Sequence, residues 1–186
     1  MRFEKSLLED QVWQDAKESG CKYLHFGYES GNERVLRLMD KATTTAIMTE
    51  HLKRTAEAGI WNHCMGFFGF PGETREEAWS SVQFLEQNKD YVHSLGFGTF
   101  DLGRHNPVAK HPEKFGVTAY KNPEWDLALD YYFTVKQGLS IEEAERVFEE
   151  FERNHNPGWD LRLFIREYIF LYIARFGLQK LPDLQY

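Results

Sequence analysis

The chain reads as an α/β protein with a parallel sheet, and three observations predict it. Apolar runs at Tyr23–Phe26 and Trp61–Phe68 each lead into a polar, glycine-bearing turn. Helical patterns lie before, between and after those runs. A further apolar run lies between Val92 and Leu102, behind another helical pattern. Strands alternating with helices imply parallel pairing, and right-handed crossovers bring the strand C-termini to one face. In barrel-type α/β proteins that face carries the chemistry.

The elements follow in order. Ser6 with Glu9 reads as a capping box, and Leu8, Val12 and Ala16 continue at helical spacing to Gly20, a left-handed helix end. Tyr23–Phe26 is a strand bounded by Gly27. Glu33–Met39 is a short helix, capped by Ser30 or Asn32. Thr43 or Thr44 opens a longer helix through Ile47, Leu52 and Ala56, closed by Gly59. Trp61–Phe68 is the second strand. Thr74 with Glu77 makes another capping box, which places Ala78, Val82 and Leu85 inward. The third strand lies within Val92–Leu102, where Gly96, Gly98 and Gly103 permit close backbone approach.

After Arg104 the character changes. Asn106-Pro107 and His111-Pro112 mark an irregular loop long enough to suspect a function. Asn122-Pro123 reads as the start of a helix carrying Trp125, Leu129 and Tyr132. Ser140 with Glu143 boxes the next helix, with Ala144, Val147 and Phe151. Asn156-Pro157-Gly158 precedes a last helix, Asp160–Phe176, closed by Gly177. The predicted organisation is residues 1–103 as the α/β part, 104–121 as loop and 122–186 as an α-helical extension.

Composition narrows the function. With 42% hydrophobic and 16% aromatic residues the chain has the material for a core. A net charge of −7 argues against broad binding to nucleic-acid phosphates or anionic membranes. Two cysteines, Cys21 and Cys64, make no disulfide framework and read as buried free thiols in a reducing compartment. Met1–Lys5 leads into no apolar signal region, and the apolar stretch Tyr168–Ala174 is far shorter than the ~20 residues that span a bilayer. The expectation is a soluble cytoplasmic protein.

The residues able to do chemistry cluster at the two turns. Glu29-Ser30-Gly31 offers a carboxylate and free amides where a strand meets a helix. Gly69-Phe70-Pro71-Gly72-Glu73-Thr74 forces a tight turn along which a planar ligand can lie on backbone. Lys41, between two helices, offers a point charge for a carboxylate. Each feature alone is also explained by capping or solvation. Phosphate-loop and dinucleotide glycine patterns are absent, as are a serine elbow and paired metal-binding histidines; His105 and His111 are single loop histidines.

Taken whole, Gly27-Tyr28-Glu29-Ser30-Gly31, Met39-Asp40-Lys41, Ala58-Gly59-Ile60 and Gly69-Phe70-Pro71-Gly72-Glu73-Thr74 resemble the second half of a radical SAM core. The similarity is to the branch with cobalamin-binding and methylthiotransferase-like members and covers roughly residues 1–102. The resemblance implies an α/β fold that is the C-terminal part of a partial (β/α)6 TIM-like barrel. Its parallel strands four to six would be Tyr23–Tyr28, Asn62–Phe68 and the run before Gly103, with Arg2-Phe3 a trace of strand three. It assigns Glu29 and Ser30 to the ribose and amino groups of S-adenosylmethionine, Lys41 to its carboxylate, and Gly69 and Pro71 to the turn beside adenine. Glu73 is expected to cap a helix.

The family's Cys-x3-Cys-x2-Cys motif is missing, so a [4Fe–4S] cluster has no ligand set here, and no catalytic residue is assigned. The expectation is therefore a fragment of a radical SAM enzyme: a misplaced start, a truncated gene or half of a split enzyme. It would contribute part of the S-adenosylmethionine site and need an N-terminal cluster-binding half, with cobalamin possible in the full protein. The other reading is a cluster-less, non-catalytic binding protein. An open, apolar edge on the first strand implies self-association or a partner that supplies the missing half.

Overall fold

The computed structural model describes residues 1–120, 129–154 and 166–178. The central sheet has three parallel strands in the order β1 (Tyr23–Glu29), β2 (Trp61–Phe68), β3 (Ser94–Thr99). Helices α1 (Asp10–Glu18), α2 (Glu33–Leu38), α3 (Thr45–Glu57) and α4 (Arg75–Gln87) precede and connect the strands. Gly20 and Gly59 end α1 and α3 in left-handed conformations, at φ 89° and 79°, as their positions predict. The capping box at Thr74 and Glu77 is present. Asn32, not Ser30, caps α2, accepting from the amides of Arg34 and Val35.

The first helix differs from expectation. Lys5–Leu8 is a turn of 3₁₀ helix, and α1 starts only at Asp10, with Glu9 at its N-cap and no side-chain cap bond. The Ser6–Glu9 box does not form. The 3₁₀ turn instead serves tertiary contacts: the Glu4 carbonyl bonds His51 Nε2 at 2.9 Å and the Leu8 carbonyl accepts from Arg54.

Strand register divides the sheet into two faces. Phe26, Tyr28, Cys64, Phe68, Leu95 and Phe97 face α3 and α4 and form the main core. His25, Gly27, His63, Met65, Phe67, Ser94, Gly96 and Gly98 lie on the other face. There His25 and His63 stack at 4.5 Å, and His63 Nδ1 bonds Ser94 Oγ at 2.7 Å. Burial, with His25 alongside, pushes His63 down to about 4, so it is neutral at physiological pH. Met65 on this face is 41% exposed.

The segment expected as loop holds structure. It carries α5 (Pro107–Lys110), a 3₁₀ turn (Pro112–Phe115) and β5 (Val117–Tyr120), and just before it Leu102–Gly103 forms β4. The helix expected from Asn122 is also corrected. Asn122-Pro123 and Trp125 lie outside the described residues, Leu129 is exposed, and β6 (Asp130–Val135) is a strand pairing antiparallel with β4 and β5. The run Tyr-Tyr-Phe-Thr-Val is aromatic and β-branched and alternates in burial, with Phe133 inward, which is a strand period. This small sheet closes a second core of Phe70, Leu102, Val108, Val117 and Phe133 at the C-terminal end of the parallel strands.

Helix α6 (Ile141–Asn154) starts at the predicted Ser140–Glu143 box. Its Ala144, Val147 and Phe151 enter the main core against Phe68 and Phe97. Helix α7 (Arg166–Phe176) ends at Gly177 and meets the sheet where Tyr172 lies against Trp61. No described helix is long and apolar enough to cross a membrane.

Candidate functional site

The first predicted turn is built around a distortion. The β1–β2 register slips between Gly27 and Glu29, so two residues of β1 oppose one of β2. Glu29 then takes φ 65°, a left-handed conformation uncommon outside glycine. The bulge turns its carboxylate back over Gly27, where an added Cβ would lie 3.0 Å from Glu29 Oε1. Gly27 is therefore the residue that makes room for the Glu29 side chain.

Lys41 meets that carboxylate at 2.8 Å. Its position is fixed by the end of α2. The Asp40 amide bonds the Arg37 carbonyl at 3.1 Å and the Lys41 amide bonds the Leu36 carbonyl at 2.9 Å, a Schellman closure. Asp40 occupies its left-handed position at φ 55°. Among the described residues, Glu29 and Asp40 are the only non-glycines with positive φ. One carries the carboxylate of the pair, and the other aims the ammonium. Glu33 holds the loop from the far side, accepting from the Thr45 amide at 2.8 Å and its hydroxyl at 2.7 Å. The pair stays partly open: the side chains of Lys41 and Glu29 are 33% and 23% exposed.

Ser30 is brought next to this pair in sequence but faces elsewhere. It is fully buried, with its hydroxyl shared with Ser81 Oγ at 3.1 Å and accepting the Asn32 amide at 3.1 Å. Gly31 is there because an added Cβ would sit 2.3 Å from the Tyr28 hydroxyl. That hydroxyl donates to the Ser81 carbonyl at 2.8 Å.

The second turn is closed. Gly69 has φ 87° and Gly72 φ 89°, so both need glycine. Pro71 is buried. Thr74 and not Glu73 caps α4, which corrects the expectation for Glu73. Glu73 is fully buried and points into its own turn, where Oε2 accepts the Gly69 amide at 2.6 Å and Oε1 has no hydrogen-bond partner. Burial raises it to about 7, against the opposing pull of the Gly69 amide. The sequence signal for this role was the spacing of Gly69 and Glu73, which a helix-cap reading of Glu73 overlooks.

Other candidates stand apart. Asp101 is exposed, with its carboxyl raised by partial burial and by Asp130. His111 is exposed, 4.0 Å from Glu113. Cys64 is fully buried in the core with its thiol pushed far up by burial, and Cys21 is half-buried. A thiolate ligand needs the opposite environment. With Cys64 in the core and Cys21 its only companion, the chain lacks the set of thiolates that a [4Fe–4S] cluster needs.

The fold and site define a class: an α/β protein whose parallel strands end in a paired carboxylate and ammonium. Residues 4–85 match the model of the radical SAM superfamily. An uncharacterized methyltransferase of Pyrococcus horikoshii is 34% identical over 80 residues, covering 42% of this chain and 17% of that protein. A tRNA-2-methylthio-N(6)-dimethylallyladenosine synthase of Jannaschia is 32% identical over 79 residues, covering 41% and 16%. The match therefore spans about a sixth of those relatives' lengths.

Two solved structures share the fold. Coproporphyrinogen III oxidase of Escherichia coli, a radical SAM enzyme, superposes with TM-score 0.59 at 15% identity, over 82% of this chain and 30% of that one. The radical S-adenosylmethionine methyltransferase TsrM of Kitasatospora setae, solved with cobalamin and a [4Fe–4S] cluster, gives 0.54 at 17% identity, over 79% and 29%.

Proposed function

We propose that this chain forms the arc of strands four to six of a radical SAM barrel and contributes part of the S-adenosylmethionine cradle. The observation that carries the reading is the Glu29–Lys41 pair, a carboxylate and an ammonium side by side at the strand ends. An amino acid moiety bears the same two charges and can exchange into the pair, its ammonium to Glu29 and its carboxylate to Lys41. The donor set thus fits the methionyl end of S-adenosylmethionine. Bound there, the cofactor would supply an alkyl sulfonium group; this chain's residues would hold it and set its orientation.

Two further features support the barrel arc. The sheet presents its histidines, Met65 and glycines on the face away from α3, α4 and α6, as a barrel strand faces its lumen. Met1 also pairs with the outer edge of β1. Its amine donates to the His25 carbonyl, and its carbonyl accepts the Gly27 amide at 3.0 Å. That is the bond pattern of a parallel ladder with Met1 opposite Phe26. Phe3 follows, stacked on Phe26 at 4.6 Å. A parallel strand on this edge is what strand three would provide, and the edge is the surface where a cluster-binding half would join. Radical chemistry belongs to that complete assembly.

Calorimetry with S-adenosylmethionine tests the reading. Wild type is expected to bind, and Glu29→Ala to bind at least tenfold more weakly, a loss of about 1.4 kcal/mol. Equal affinities would remove Glu29 from the site.

A further inference from the structure

The second turn is gripped from outside the parallel sheet. Gly138, at φ 90°, lies directly on its backbone: an added Cβ would stand 2.7 Å from the Glu73 carbonyl oxygen, 2.8 Å from the Gly72 carbonyl carbon and 2.9 Å from the Glu73 amide nitrogen. No flexible side chain stands between them to give way. The next residue, Leu139, donates its amide to the Glu73 carbonyl at 2.8 Å and buries its side chain in the main core. On the other flank Ala144, in the first turn of α6, sits against Gly69, where an added Cβ would lie 2.6 Å from the Ala144 methyl. Arg75 and Glu150 tie α4 to α6 alongside.

Inside the turn, Glu73 completes the grip. One carboxyl oxygen takes the Gly69 amide, and the other is buried without a partner. A buried polar atom left so is costly, and a surrounding that over-determines the geometry must hold it there. Gly138, Leu139 and Ala144 are that surrounding, and all three come from sequence beyond the parallel sheet.

We propose that residues 138–144 are a clamp that sets the conformation of the Gly69–Thr74 turn, with Gly138 and Ala144 as positioning residues for whatever ligand the turn meets. This rests on the reading above for the identity of that ligand, but the clamp itself does not. If the turn lies beside the nucleoside of S-adenosylmethionine, the segment after the sheet tunes cofactor affinity without touching the cofactor.

Amide hydrogen exchange on the full chain, with S-adenosylhomocysteine titrated by calorimetry, tests it. Gly138→Ala is expected to speed exchange of the Gly69 and Glu73 amides at least tenfold, with β1 amides such as Phe26 unchanged, and to weaken S-adenosylhomocysteine binding severalfold. Ala144→Gly, which only removes a methyl from the contact, serves should Gly138→Ala fail to fold; it is expected to speed Gly69 exchange severalfold. Exchange at Gly69 and Glu73 within twofold of wild type in the folded variant overturns the clamp. Absence of any S-adenosylhomocysteine binding by wild type counts against the cofactor reading, while the exchange data still decide the clamp.

Discussion

The two turns at the strand ends use the same ingredients and reach opposite states. Each follows a parallel strand, contains a glutamate and opens a capped helix. Glu29 sits 23% exposed and paired with Lys41, where a ligand can compete for either charge. Glu73 sits fully buried, spent on its own backbone and covered by Gly138 and Leu139. The difference comes from what packs outside. The first pair is left partly open, whereas the sequence after the sheet returns onto the second turn. One glutamate is thus left partly open and the other shapes its own turn.

The largest break of this contrast is expected from Phe68→Ala. Phe68 is fully buried at the end of β2 and meets Phe97 and Phe151. Removing it leaves a cavity between sheet and α6, beneath the second turn only, and should cost about 3–5 kcal/mol in denaturant unfolding.

Glu73 gives the next effect, through pH. Its folded value of about 7 stands above the ordinary 4.5. The folded state therefore holds a proton that the unfolded chain releases. The contribution is complete below about 4.5 and is lost as pH rises to about 7. The loss is roughly 3 kcal/mol. Glu73→Gln mimics the protonated form, so its stability should lack this slope and exceed that of wild type at pH above 7. Parallel urea melts across this range check it; identical slopes in both proteins would show that Glu73 does not titrate there.

Thr74→Ala removes the N-cap of α4 and should cost about 1 kcal/mol, read as a lower midpoint in urea. Glu29→Gly is expected to have the smallest effect on stability and the opposite sign. It relieves a left-handed non-glycine residue, offset by the flexibility of glycine, for a net gain of about 0.5 kcal/mol. On the proposed reading S-adenosylmethionine raises the thermal midpoint of wild type, and the same change should abolish that gain. A variant both less stable and still ligand-responsive would erase the distinction between the two glutamates.

Much of this was legible in the residues. Gly20 and Gly59 marked helix ends because left-handed backbone favours glycine, and Thr74 with Glu77 marked a start by reciprocal capping. Lys41 could be linked to Glu29 only through resemblance, since their meeting depends on the left-handed Asp40, for which local sequence gives no strong signal. The strand at Asp130–Val135 was hidden by a helix-start signal at Asn122-Pro123 that drew the period of 3.6 across a run alternating with period 2. Ser6 and Glu9 had the spacing of a cap, but tertiary bonds from Glu4 and Leu8 prevailed over it. The grip of Gly138 on Glu73 joins residues far apart in sequence, and no local pattern encodes it.

That α6 shares one core with the strands also bears on how the chain is made. Phe68 and Phe97 leave the ribosome well before Val147 and Phe151, the side chains that cover them. Until α6 arrives, an aromatic patch stands uncovered on the nascent sheet, and the contacts that close it span much of the chain. Such long-range closure slows folding and lengthens exposure to aggregation. Expression at low temperature, or with holding chaperones, is the condition in which this core should assemble most completely.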